Sequence, residues 1–95
     1  MTTLHIEHPI TDFAVWKAAF DRFADQRTAR GVREHRIQQP VNDPRYVVID
    51  LDFATTAEAE GFLDFLRTTV WSSPDRSPAL DGTPTAMILQ PAGAN

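Results

Sequence analysis

The chain has no cysteine, which removes disulfide frameworks, thiol nucleophiles, thiolate zinc sites and iron–sulfur clusters together. It has no apolar run longer than four residues, so no segment reads as a membrane span. Positive charge is scarce: nine Lys and Arg against thirteen Asp and Glu leave a net charge of −4. That balance argues against general nucleic-acid binding. The four glycines, at 31, 61, 82 and 93, are isolated, so there is no Gly-rich phosphate cradle. The opening residues carry neither a basic n-region nor an apolar h-region, and the expected location is the cytoplasm. What remains is ordinary for a small globular protein: 95 residues, 42% hydrophobic and 23% charged. This is one domain, residues 1–95, with a structured core over 1–91 and a tail at 92–95.

Thr2 to His8 alternates, with Leu4 and Ile6 on one face and Thr3, His5 and Glu7 on the other. This is the period of a half-buried strand, ended by Pro9. From Asp12 to Arg30 the period becomes helical, with Phe13, Trp16, Phe20 and Phe23 as one stripe and Gly31 placed as a left-handed cap. Trp16 and Phe20, central in the stripe, are expected to be nearly fully buried. Val32 to Gln39 reads as a weaker strand, residues 40–44 as a turn, and Arg45 to Phe53 as the clearest strand. Thr55 and Glu58 form a capping box for a helix running to about Trp71. A loop over Ser72–Thr83 and a last strand over Pro84–Gln90 complete the order β-α-β-β-α-β. With right-handed crossovers this predicts an α+β, ferredoxin-like fold: a four-stranded antiparallel sheet with both helices on one face.

The helices can cover only one sheet face. The strand faces rich in branched apolar residues take them, leaving His5, Glu7, Tyr46, Val48, Asp50 and Asp52 on the open side, with Ile88 expected to join them. A mixed face of this kind suits a ligand floor or a second sheet.

The run Asp12-Phe13-Ala14-Val15-Trp16-Lys17-Ala18-Ala19-Phe20-Asp21 is followed by Arg27 and Gly31-Val32. Asn42-Asp43-Pro44-Arg45, Phe53-Ala54-Thr55 with Ala59 and Phe62, and Gly82-Thr83-Pro84 complete a pattern over residues 4 to about 90. In these positions the chain resembles the dimeric α+β barrel superfamily. That group includes antibiotic-biosynthesis monooxygenases, haem-degrading enzymes, lactone isomerases and stress-responsive barrels. The resemblance implies a homodimer packed sheet to sheet through the open face. The haem-degrading members carry a histidine on the second helix, and this chain has none there. No cofactor is therefore expected, and the absence of any histidine on a helix argues against a metal site.

His5 beside Glu7 can act as a base with a set tautomer, and Tyr46 lies on the same face; these two are the acid–base candidates. Glu7, Val48, Asp50, Asp52 and Trp71 are the pocket or interface candidates. Asp50 and Asp52 are expected to meet Arg33 or Arg36 of the neighbouring strand. His8, next to Pro9, is expected to be solvated, and His35 could take either face. The preferred reading is a homodimeric barrel protein holding a small apolar or aromatic ligand between sheet and helices. The alternative is a small cofactor-free monooxygenase acting on an aromatic or polyketide-type substrate.

Overall fold

The computed structural model describes residues 1–93, so Ala94 and Asn95 of the expected tail lie outside the described residues. Four strands, β1 (Thr2–Pro9), β2 (Glu34–Gln38), β3 (Tyr46–Phe53) and β4 (Thr85–Leu89), form one sheet in the order β2-β3-β1-β4. All three neighbouring pairs are antiparallel. The fold is the expected ferredoxin-like α+β arrangement.

Alternation decides the two sheet faces. Leu4, Ile6, Val47, Ile49, Leu51 and Phe53 are buried under the helices, while the residues between them stay half-exposed. The register places Leu4 opposite Ile88. Ile88 therefore faces the helices and packs on the core, contrary to the sequence expectation. Met87 and Leu89 take the open face instead, and they are 52% and 43% exposed.

The expected first helix is two. α1 (Phe13–Arg22) starts at Asp12, whose side chain accepts from the Val15 amide at 2.9 Å. It stops at Phe23, and α2 (Ala24–Ala29) continues from there. The break leaves the Phe20 carbonyl without a regular helical partner. It accepts instead from the Phe23 amide at 3.2 Å and from Nη1 of Arg27. Gly31 closes this segment at φ +100°, and the Glu58 carboxylate lies against it, 2.7 Å from where a Cβ would stand.

α3 (Thr56–Phe65) begins where expected, the Thr55 hydroxyl accepting from the Glu58 amide at 3.2 Å. It runs on as a π-helical turn over Leu66–Val70, the wider winding often found beside functional sites. Ala59, Phe62 and Leu63 supply its buried stripe. Trp16 and Phe20 are not fully buried, as the periodicity predicts, but half-buried. The reason is a gap between α1, α3 and the sheet that side chains do not fill. Among the described residues no helix is long and apolar enough to cross a membrane.

Candidate functional site

The open sheet face and the gap under the helices lie on opposite sides of the sheet. On the open face, His5 stands opposite Asp50 in the β1–β3 ladder. Its Nδ1 is 2.7 Å from Asp50 Oδ1, and its Nε2 is 2.9 Å from Glu7 Oε2. The Tyr46 hydroxyl donates to the other Glu7 oxygen at 2.7 Å. The structure thus brings together four of the residues singled out in the sequence. The hydrogen bonds that His5 makes to Glu7 and then to Asp50 raise its pKa, and His5 and Tyr46 together lower that of Glu7. The bond to Glu7 raises the Tyr46 phenol. With a carboxylate on each ring nitrogen, His5 is best charged, and it has no free lone pair with which to act as a base.

Asp52, on the same face, accepts from Thr3 at 2.8 Å and from both arms of Arg36 at 2.8 and 3.1 Å. The Arg36 pair holds its carboxyl below the usual range. Val48 lies half-exposed next to Glu7, and Met87 and Leu89 lie on the same face two strands away, across β1. The polar groups of this face are satisfied by one another, which suits a surface to be covered.

The other side holds a cavity of about 80 Å³ between the sheet, α1, α3 and the segment after it. Its wall is aromatic. Trp16 stacks on Phe20 with centroids 5.1 Å apart, and Phe20 meets the edge of His35 at 5.3 Å. Phe23 and Phe65 meet edge to face at 6.4 Å, and Trp71 also lines the space. His35 therefore belongs to the helix side of the sheet. Of the catalytic, pocket or interface candidates from the sequence, only Trp71 reaches this cavity. None of the open-face group, His5, Glu7, Tyr46, Val48, Asp50 or Asp52, touches it.

Two polar residues that the sequence did not mark as pocket candidates do reach it. His8 is 3% exposed rather than solvated, because it continues the buried face of β1 after Leu4 and Ile6. Its Nδ1 is 2.9 Å from the Pro9 carbonyl, which can only accept. The ring proton therefore sits on Nδ1, and Nε2 keeps a lone pair. Burial lowers its pKa and keeps the ring neutral. Strand parity alone places His8 inward; reading Pro9 as the strand's end hides it.

Arg27 is the second, 7% exposed and lining the cavity. Its guanidinium lies 3.7 Å over the Phe20 ring while Nη1 donates to the Phe20 carbonyl. Burial lowers its pKa, and nearby Asp21 opposes that shift. Its charge, after burial, helps to depress His35. Position 27 continues the stripe of 13, 16, 20 and 23, so periodicity could have found it. Among the described residues no cluster of three or more His, Asp or Glu is placed to hold a metal ion.

No protein-family model and no curated protein matches the chain. Solved structures do. A protein from Nitrosomonas europaea, described as a candidate antibiotic biosynthesis monooxygenase, aligns over 97% of this chain and 99% of its own, with TM-score 0.70 and 16% identity. A cofactor-independent oxygenase from Streptomyces nogalater aligns over 98% and 94%, with TM-score 0.73 and 13% identity. A dimeric ferredoxin-like protein from an uncultured marine organism aligns over 93% and 94%, with TM-score 0.59 and 13% identity. At such identities the likeness shows the fold alone, and that fold is the one the dimeric α+β barrel resemblance implies.

Proposed function

We propose that the chain forms a homodimer through its open sheet face and takes a small aromatic ligand into the cavity between sheet and helices. One observation carries the ligand: Trp16, Phe20, Phe23, Phe65 and Trp71 touch only in pairs, Trp16 with Phe20 and Phe23 with Phe65, and stay half-buried around free space. Cores ordinarily pack without such gaps, whereas ligand sites are apolar hollows with a few polar groups. The dimer is supported by the apolar surface of Val48, Met87 and Leu89 on the open face and by the dimeric structural neighbour. In this reading His5, Glu7, Tyr46, Asp50 and Asp52 belong to the interface. Entry of a single-ring aromatic should change the emission of Trp16 and Trp71 and raise the melting temperature. Unchanged emission and melting temperature at millimolar ligand would contradict the ligand reading.

A second reading, cofactor-free oxygenation of an aromatic or polyketide-type substrate, draws support from the free Nε2 of His8 at the cavity wall and from the oxygenase neighbour. A neutral imidazole there can take a proton from a phenolic substrate. His5 and Tyr46, the acid–base pair of the sequence reading, face away from the cavity, so His8 takes their place as the base. Oxygen uptake with a phenol, lost in His8→Gln, tests it.

A further inference from the structure

Two permanently charged groups line the apolar cavity, the exposed Arg76 and the buried Arg27, and the buried one has no counter-ion. Arg27 is more than nine-tenths buried, yet no carboxylate lies within 4.0 Å of it among the described residues. Asp21, the acid whose charge it feels, is already paired with Lys17 at 2.7 Å. Of the five N–H groups of the guanidinium, the structure commits only Nη1, to the Phe20 carbonyl. No fully shielded side-chain nitrogen or oxygen lacks a partner among the described residues, so the rest of the fork keeps access to free space.

A guanidinium stays charged in protein interiors, and a buried charge without a partner is costly. The fork shape matches a carboxylate, which it binds through two parallel hydrogen bonds. Around it the walls are rings. The volume, about 80 Å³ against roughly 150 Å³ for an apolar hollow that takes benzene, limits the ligand to one ring, which enters as the half-buried wall residues move apart.

We propose that the cavity is a site for a single-ring aromatic carboxylate, with the carboxylate on Arg27 and the ring against Trp16 and Phe20. This rests on the cavity being a ligand site and adds the chemical class of the ligand. His8, neutral on the same wall, presents its Nε2 as an acceptor to a hydroxyl on such a ring.

The test compares benzoate with benzamide, which has the same ring and nearly the same size without the charge. Both are titrated into the full chain at pH 7.5 and followed by tryptophan fluorescence, with acetate as the ringless control. Benzoate should bind about tenfold tighter than benzamide, a difference within reach of one charge-assisted pair. Arg27→Met should remove that preference while leaving benzamide binding in place, and Arg27→Lys should restore part of it. Equal binding of benzoate and benzamide by the wild type would overturn the Arg27 assignment and leave the cavity reading standing. Absence of binding by either would overturn both. Acetate binding as tightly as benzoate would place the anion outside the ring-lined space, and loss of the preference in Arg76→Met rather than Arg27→Met would place it on the other arginine of the lining; either result would overturn the assignment. The wild-type comparison decides even where the Met variant fails to fold.

Discussion

The His8 imidazole meets the Trp16 indole edge to face, with centroids 6.4 Å apart and planes at 62°. This contact joins the last inward position of β1 to the aromatic stripe of α1, at the wall of the cavity. It has a consequence for acid stability. Burial holds the His8 pKa below its ordinary 6.5, so between those two values the unfolded chain binds a proton that the folded chain refuses. Stability should therefore fall as pH drops below about 6.5. His35, also depressed by burial, acts in the same direction. In His8→Leu the loss between pH 6.5 and 5 should be smaller than in the wild type, as read by urea unfolding. Equal slopes in the two proteins would show that His8 is not buried neutral.

His5 has the opposite sign. Glu7 and Asp50 raise its pKa above 6.5, so its contribution is complete below 6.5 and disappears as pH rises through the raised value. The charged groups facing it are Glu7 on its own strand and Asp50 on β3, with Arg36 across from Asp50 on β2. Protonated, His5 offsets one of the two carboxylates that the sheet face would bring into an interface. Sedimentation should find the dimer tighter at pH 5.5 than at pH 7.5, with the difference abolished in His5→Gln. A looser dimer at pH 5.5 would contradict the network.

Core and cavity wall should differ in their response to truncation. Phe53 is fully buried on β3 and packs on Phe62 with centroids 5.7 Å apart. Phe53→Ala should cost about 3–5 kcal/mol, through lost transfer energy and the hole left behind. Trp16 is half-buried against space that is already empty, so Trp16→Ala should cost less than about 3 kcal/mol. Chemical denaturation of both variants checks the order; Trp16→Ala as costly as Phe53→Ala would mean a closed core.

Val48→Asp places a charge in the middle of the open face, between Glu7 of β1 and Gln38 of β2 in the ladder. Light scattering should find this variant monomeric, with helix content by circular dichroism unchanged, while the wild type remains a dimer at tens of micromolar. A monomeric wild type would remove the sheet-to-sheet interface. A dimeric Val48→Asp would move it elsewhere.

The alternation of β1 and β3 is readable because each strand buries one face completely, so apolar residues recur at every second position. β4 is harder. Ala86, Met87, Ile88 and Leu89 are all apolar, and only the pairing of Leu4 with Ile88 decides which of them point inward. The break at Phe23 leaves no mark in the periodicity, since the stripe runs through it; the freed Phe20 carbonyl is capped by a side chain seven residues on. The open-face network is legible as a set of residues, because cross-strand neighbours follow from parity. The cavity is not. A stripe of Phe and Trp predicts a filled core equally well, and whether the rings meet depends on how far α1 and α3 stand from the sheet.

The claim that the helix side of the sheet, and not its open face, receives the ligand is tested most directly by nuclear magnetic resonance. Labelled protein would be titrated with benzyl alcohol, a neutral single ring whose binding does not depend on Arg27. The indole signals of Trp16 and Trp71 and the ring signals of Phe20 should shift together and saturate, while those of His5, Tyr46 and Val48 stay in place. Shifts centred on His5, Tyr46 and Val48, with both indoles unmoved, would contradict the account.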